Sequence, residues 1–357
     1  MLKLALAAAV GASVIAATPA VAQDDDPFRI GFIYVGPISD HGWTYQHDLG
    51  RQAVEAEFGD RVETQYVENV AEGPDAARVM RQLASSGVDM IFATSFGFMD
   101  SVMETAEQFP DVLFEHATGY QRADNVSTYG ARFYEGRTIL GHIAGHMTET
   151  NQIGYIASFP IPEVVRGINA FTIELLRVNP NAEVNVVWVN TWYNPSLEAE
   201  AATALIDQGA DIIVQHTDSP AALQVAEERG VYAFGQASNM YNFAPDSQLT
   251  AIVDDWAPYY ISRVGAALDG TWESMDTWDD IDAGMVSMAE YTNMPDDLAA
   301  AARALEYEVA TGQRHSFAGP IIGQDGEEIV AEGQVIDDPS LITMDYFVEG
   351  VTGSMPN

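Results

Sequence analysis

The chain has 357 residues and is strongly acidic, with 53 Asp and Glu against 15 Lys and Arg and a formal net charge of -38. Such a charge repels nucleic acid and anionic lipid surfaces, so neither is an expected partner. The absence of cysteine excludes disulfides, thiolate catalysis, cysteine zinc sites and a lipid-anchored cysteine. The length suits two domains, each with its own core.

The N-terminus has the pattern of a secretory signal peptide. Lys3 supplies a short positive segment, residues 4–17 are small and apolar, and Ala20-Val21-Ala22 matches an Ala-x-Ala cleavage site. A membrane anchor, the alternative, is disfavoured because the apolar part is short and is followed by acidic residues. We therefore predict a signal peptide over 1–22, a mature start at Gln23 and a periplasmic location without membrane insertion.

The first half of the mature chain alternates strands and helices. A buried strand over 28–35 ends in the turn Gly36-Pro37-Ile38-Ser39-Asp40-His41-Gly42-Trp43, where a helix begins. The further predicted elements are a strand at 61–70, a helix at 74–86, a strand at 89–93, a helix that ends at Phe109 and a strand at 112–117. This alternation is typical of a parallel, doubly wound α/β sheet with right-handed crossovers.

The second half repeats that order of elements. Gly87-Val88-Asp89-Met90-Ile91 is echoed by Gly209-Ala210-Asp211-Ile212-Ile213, each at a helix-to-strand junction. Strands are predicted at 126–133, 153–158, 184–189, 212–215, 232–235 and 249–254, and helices at 135–148, 162–178, 195–208, 220–228, 256–269, 295–312 and 339–351, with a hairpin at 321–335. Residues 270–290 show no clean period.

Two similar lobes joined by a multi-strand hinge follow from this pattern. The first lobe is expected over 28–130 plus about 254–275, and the second over 131–253 plus about 280–352. In such sheets, ligands bind outside the carboxyl ends of the strands, where helix N-termini also point.

Enzyme signatures are absent. The chain has no Gly-x-Ser-x-Gly, His-Glu-x-x-His or Gly-x-Gly-x-x-Gly motif of the hydrolase, zinc-protease or dinucleotide-binding kind. His142 and His146 lie one helical turn apart but lack an evident third ligand, so a packed or solvated pair is favoured over zinc. No cofactor or metal is expected.

Side chains at the predicted strand ends combine flat aromatic rings with neutral and acidic hydrogen-bonding groups and include no cation. This set suits an uncharged, planar, donor-rich ligand. Core packing is the alternative for the two tryptophans, and helix N-capping for the two aspartates. The predicted ligand-binding residues are Asp40, Trp43, Ser95, Phe96, Thr118, Trp192, Tyr193, Asp218, Gln236 and Ser238.

Four stretches together resemble the basic membrane protein family, the substrate-binding proteins of ABC importers that are related to purine nucleoside receptors. They are the turn at 36–43, Ile161-Pro162-Glu163-Val164-Val165-Arg166, Gln208-Gly209-Ala210-Asp211-Ile212-Ile213 and Phe317-Ala318-Gly319-Pro320-Ile321. The resemblance extends from about Phe28 to Gly353. It implies a type I periplasmic binding fold, hinge closure on a small ligand and an ABC permease as partner; we expect a monomer.

Departures from the family pattern bear on the ligand. The resemblance implies an aspartate and a lysine that reach toward a ribose, and here the matching positions are Ala237 and Asp254. A free purine such as adenine is therefore expected rather than a nucleoside. The alternatives are a receptor for a nucleoside or another planar heterocycle, a secreted nucleosidase with Asp40 as general base, and a receptor that feeds a signalling partner.

Overall fold

A computed structural model describes residues 26–39 and 41–356. The predicted signal peptide at 1–22 and the side chain of Asp40 lie outside the described residues. The predicted α/β fold with parallel-sheet lobes is confirmed, and up to residue 254 each predicted strand and helix overlaps an element of the same type.

The strands and helices follow the chain in nearly strict alternation until residue 254. The strands are β1 (Phe28–Ile33), β2 (Val62–Val67), β3 (Met90–Ala93), β4 (Leu113–Ala117), β5 (Val126–Ala131), β6 (Gln152–Ala157), β7 (Glu183–Trp188), β8 (Ile212–His216), β9 (Tyr232–Gly235), β10 (Gln248–Asp254), β11 (Asp276–Asp279), β12 (Val286–Met288), β13 (Ile321–Ile322), β14 (Glu328–Val330) and β15 (Val351–Thr352). The helices are α1 (Gly42–Phe58), α2 (Pro74–Ser85), α3 (Met99–Gln108), α4 (Phe133–Met147), α5 (Pro162–Val178), α6 (Pro195–Asp207), α7 (Ala221–Arg229), α8 (Ala257–Leu268), α9 (Asp296–Ala310) and α10 (Asp338–Ile342).

Two sheets organise these elements. The first has the order β11-β5-β4-β3-β1-β2 and is parallel throughout. The second has the order β12-β10-β9-β8-β6-β7-β15, and β12 is its antiparallel member. We call each sheet, with the helices packed on it, a lobe; the numerical lobe boundaries given above stay a prediction.

The chain passes between the sheets after β5, after β10 and after β11. These passages bring the hinge segments side by side, because β11 pairs with β5 and β12 pairs with β10. Three adjacent connections restrict twisting more than a single linker would. The arrangement agrees with the predicted multi-strand hinge.

A buried ion pair fastens α8 to the first sheet. Arg263 Nε lies 2.6 Å from Glu115 Oε1, and the Glu115 carboxylate also accepts hydrogen bonds from Tyr259 and Trp272. Each oxygen of this fully buried carboxylate is therefore satisfied, as a charge in a protein interior requires. The helix that follows β10 thus packs on the first lobe.

The predicted helix at 339–351 is wrong beyond its first turn. The helix α10 ends at Ile342, and the chain then runs in irregular conformation to the strand β15. The buried Asn169 side chain accounts for this, because it bonds to the Tyr346 carbonyl at 2.7 Å and to the Val348 N–H at 3.2 Å. These bonds use main-chain groups that a continuing helix would need.

The aperiodic stretch at 270–290 contains β11 and β12. Both are short edge strands, of four and three residues, and most of their side chains are partly exposed. A short edge strand does not show the alternating or continuous apolar pattern by which strands are recognised.

Glu135, in the first turn of α4, links two hinge segments because its carboxylate accepts a hydrogen bond from Ile281 N at 3.1 Å. Burial raises the pKa of Glu135 to about 7, against the lowering effect of that hydrogen bond. The unfolded chain releases this proton near the ordinary value of 4.5. The free energy of unfolding should therefore fall as the pH rises through this interval.

We predict that Glu135→Gln stabilises the protein at pH 8 by about 1–3 kcal/mol and has little effect at pH 4.5, because it keeps an acceptor and removes a desolvated charge. Urea unfolding at both pH values measures the difference. Glu63→Gln, at an exposed position on β2, serves as the control. An equal effect of Glu135→Gln at both pH values would contradict the assignment.

Candidate ligand-binding site between the lobes

A cavity with an empty volume of about 390 Å³ lies between the lobes, at the carboxyl ends of strands from both sheets. Aromatic and polar side chains from both lobes contribute to its wall. The lining residues are Val35, Trp43, Ser95, Phe96 and Thr118 from the first lobe, and Ile161, Glu163, Trp192, His216, Asp218 and Gln236 from the second.

The two tryptophans at the cavity come from opposite lobes. Trp43 Nε1 donates to the Thr94 carbonyl at 2.8 Å, within its own lobe. Trp192 Nε1 donates to Glu72 Oε1 at 3.1 Å, across the cleft. Because both indole N–H groups are engaged, the two rings offer a ligand their carbon surface, which favours stacking.

The N-terminus of α1 is completed by the second lobe. Gly42 N donates to Ser238 Oγ at 2.7 Å, and Trp43 N donates to the Asp218 carboxylate. These N–H groups belong to the first turn, where a helix has no acceptors of its own. The Asp218 N–H in turn donates to the Trp192 carbonyl at 3.0 Å. The lobes are therefore closed on each other.

Gln236 presents a defined hydrogen-bonding edge to the cavity. Its Oε1 accepts from Arg137, a buried residue that also donates to the Gln215 carbonyl at 3.0 Å. The guanidinium can only donate, so it fixes the orientation of the amide. The amide NH2 of Gln236 is thereby left to donate to a ligand.

Acidic side chains provide the acceptors. Enclosure of Asp218 raises its pKa, and the nearby Glu198 adds to the effect. Glu163 Oε1 lies 3.5 Å from His216 Nε2, and burial lowers the pKa of His216, so this imidazole is neutral at pH 7. Burial also raises the pKa of Asp254, whose carboxylate oxygens have no partner among the described residues.

Backbone strain accompanies the polar groups at the cleft. Thr118 has a φ of 60° and Ala237 a φ of 58°, in the left-handed region that residues with a Cβ rarely occupy. Thr118 lines the cavity, and Ala237 follows Gln236 directly. Such strain costs about 1–3 kcal/mol per residue and tends to gather at functional sites.

Most of the predicted site residues meet at this cavity, although whether they bind a ligand stays a prediction. The residues that line it as predicted are Trp43, Ser95, Phe96, Thr118, Trp192, Asp218 and Gln236. Ser238 instead bonds to the opposite lobe, and Tyr193 is not among the lining residues. Asp40 lies outside the described residues. Asp218 is not a helix cap, since α7 has Pro220 at that position.

Sequence reasoning missed Glu163 and His216. Glu163 follows the end of β6 and lies in the first turn of α5, so the carboxyl-edge rule applied to that strand would have found it. His216 is the last residue of β8, so the same rule applied to that strand would have found it as well.

None of the described lining residues is Arg or Lys. An adjoining cavity toward the hinge shares Phe96, Thr118 and Glu163 with this one and is lined by Arg166. The Arg166 guanidinium donates to the Leu341 carbonyl at 2.7 Å and lies over the Trp278 ring at 4.9 Å. The Arg166 guanidinium therefore already has partners within the protein.

A cavity enclosed between two parallel-sheet lobes, with walls from both, is the arrangement of a type I periplasmic binding protein. The family model described as "ABC transporter substrate-binding protein PnrA-like" matches residues 28–306. The chain belongs to this family, which confirms the resemblance found in the sequence.

Individual relatives agree with the family. A purine-binding protein of Brucella abortus is 53% identical over 94% of this chain and 96% of its own length. A putative ABC transporter glucose-binding protein of Haloferax volcanii is 38% identical over 94% of this chain and 83% of its own. A solute-binding protein of Aeropyrum pernix has a similar fold, with a TM-score of 0.69 and 16% identity over 82% of this chain and 94% of its own.

Within 26–39 and 41–356, no helix is both long enough and apolar enough to cross a membrane. The same residues hold no group of His, Asp and Glu arranged to bind a metal ion. His142 instead lies 3.4 Å from Glu174 and packs edge-on against His146.

Gly42 lies at a close approach of the two lobes, and its φ of 82° is one that glycine adopts freely. A Cβ at this position would lie 2.6 Å from the Asp218 carbonyl oxygen of the other lobe. We predict that Gly42→Ala holds the lobes apart and increases the radius of gyration in small-angle X-ray scattering.

Gly326→Ala is the matched control, because Gly326 has a φ of 85° but no atom within 4 Å of the added methyl group. Both variants carry a similar cost of backbone strain, about 1–2 kcal/mol. Only Gly42→Ala should open the cleft. Identical scattering from the two variants would show that Gly42 does not limit closure.

Proposed function

We propose that this protein captures a free purine base, adenine or a close analogue, outside the cytoplasmic membrane and presents it to an ABC permease. The base stacks between aromatic rings of the two lobes, and hinge closure excludes water from it. The protein acts as a monomer and as a binding protein, without catalysis.

The observation that carries this proposal is the pair of indoles from opposite lobes at one cavity, with both N–H groups engaged elsewhere. Trp43 and Trp192 can then hold a ligand only through their ring surfaces. A flat heterocycle fits such a pair, and stacking contributes about 1–3 kcal/mol per base in nucleic-acid binders.

The polar groups suit the edge of an adenine. Its amino group is a donor next to ring nitrogens that accept. Asp218 and Glu163 supply acceptors, and the Gln236 amide supplies donors. A phosphate or carboxylate ligand would instead need cations, which the described lining residues lack.

A free base is favoured over a nucleoside by residues near the pocket. The positions at which the family resemblance implies a ribose-binding aspartate and lysine are Ala237 and Asp254, and Lys3 is the single lysine of the whole sequence. Ala237 has no group that could bond to a sugar hydroxyl.

The relatives bear on the ligand class in two ways. The Brucella protein is named a purine-binding protein and shares more than half of its residues with this chain, which supports a purine. The Haloferax protein is named a putative glucose-binding protein, which makes glucose the second candidate. A sugar ring also packs on aromatic surfaces, but it lacks the planar edge described above.

Isothermal titration with adenine, guanine, adenosine, guanosine and glucose tests the ligand. We predict that adenine binds more tightly than either nucleoside and that glucose gives no heat at millimolar concentration. Tighter binding of the nucleosides would overturn the choice of a free base. Binding of glucose in preference to every purine would overturn the ligand class.

We predict that Trp43→Ala and Trp192→Ala each weaken adenine binding at least tenfold, because each removes one stacking surface worth about 1.4 kcal/mol or more. Trp188→Ala is the control, since Trp188 stacks on Phe347 away from the cavity. Circular dichroism should show that all three variants fold. Unchanged affinity in either of the first two would remove that ring from the site.

A secreted nucleosidase is the enzymatic alternative, with Asp40 as general base. Incubation of the purified protein with adenosine or guanosine, followed by chromatography for the free base, separates the two activities. We expect no base to form. Turnover that disappears in Asp40→Asn would establish the enzyme.

A further inference from the structure

Glu72 lies in the loop between β2 and α2, outside the cavity wall, yet it joins the two lobes. Its Oε1 accepts a hydrogen bond from Ser95 Oγ at 2.6 Å within the first lobe. The same oxygen accepts from Trp192 Nε1 at 3.1 Å in the second lobe. Both donors line the cavity, so one carboxylate oxygen connects the two sides of the site.

The first lobe is shaped to hold this carboxylate. Gly97 follows Ser95 by two residues, and a Cβ at Gly97 would overlap the Glu72 carboxyl group. Only glycine therefore leaves room for Glu72 at this place. The Ser95 hydroxyl then fixes the oxygen toward the cleft, before the second lobe arrives.

The orientation of Trp192 depends on the opposite lobe. Within its own lobe the ring has tilted contacts with Phe159 at 5.1 Å and His216 at 6.5 Å, whereas its N–H finds its acceptor in the other lobe. The bond from Nε1 to Glu72 adds a directional contact to this packing. It exists only when the lobes are together.

We propose that Glu72 is a positioning residue that fixes the Trp192 ring against the ligand when the cleft closes. The identity of the ligand in this inference rests on the proposed function. The role of Glu72 in closure does not. In the open form Trp192 loses its acceptor, and the second stacking wall is incomplete. The ligand leaves only after the bond to Glu72 breaks, so Glu72 governs the dissociation rate.

Closure can be measured directly because the chain has no cysteine. Glu107→Cys on α3 and Glu228→Cys on α7 are exposed positions on opposite lobes for a pair of spin labels. Pulsed electron–electron double resonance measures the distance between the two labels and so gives the closed fraction with and without adenine. Stopped-flow fluorescence gives the dissociation rate of adenine. The variants are Glu72→Ala, Glu72→Gln, Trp192→Phe and the double variant Glu72→Ala with Trp192→Phe.

We expect Glu72→Ala to lower the closed fraction and to speed adenine release roughly tenfold, the effect of losing one charge-assisted hydrogen bond, with association unchanged. Glu72→Gln keeps an acceptor and should recover most of the closure. Trp192→Phe keeps a ring but lacks the N–H, so adding Glu72→Ala to it should change nothing further. Glu63→Ala, an exposed carboxylate on β2, controls for the lost charge.

Two results would overturn the proposal. One is a closed fraction and release rate in Glu72→Ala equal to those of Glu63→Ala. The other is an effect of Glu72→Ala that persists in full in the Trp192→Phe background, since the coupling would then not pass through the indole N–H. If adenine fails to bind the unsubstituted protein, the ligand assignment fails, and the closed fraction without ligand still decides the role of Glu72.

Discussion

The N-terminus of the first helix, α1, is capped by residues of the other lobe. The N–H groups of Gly42 and Trp43 have no acceptors within α1, and they find them in Ser238 and Asp218 across the cleft. A satisfied N-terminus stabilises a helix by about 0.5–2 kcal/mol relative to an unsatisfied one. When the lobes separate, water must take the place of both acceptors. These hydrogen bonds at the turn between β1 and α1 therefore stabilise the closed form.

Asp218 connects the N-terminus of α1 to the cavity. Its carboxylate accepts from Trp43 N, its own N–H donates to the Trp192 carbonyl, and its side chain lines the cavity. The two tryptophans are thus placed by main-chain bonds to one residue, while their ring N–H groups are held by Thr94 and Glu72. The position of the aromatic walls and the state of the hinge are set by the same few hydrogen bonds.

The sequence predicted those features that depend on local pattern. Strand and helix order, the two sheets and the meeting of strand ends at one cleft all follow from periodicity and from the rule for parallel sheets. The pairing of Glu72 with Trp192 could not be predicted, because it joins residues 120 positions apart whose proximity depends on closure. The end of α10 was predicted wrongly for a similar reason. Asn169, from another helix, captures the main chain there, and local propensity contains no information about that contact.

Ser238, Asp218 and Glu72 accept the hydrogen bonds that cross the cleft at the cavity. Each hydrogen bond contributes a net of about 0.5–1.5 kcal/mol, so the bonds to Ser238, Asp218 and Glu72 together supply a few kcal/mol. Enclosure of the Asp218 carboxylate opposes them, as its raised pKa indicates. A near balance of this kind is what a receptor needs, because a ligand shifts an equilibrium only by its preference for one state. Under the proposed function, stacking of the ligand on Trp43 and Trp192, about 1–3 kcal/mol per ring, is a preference of the required size.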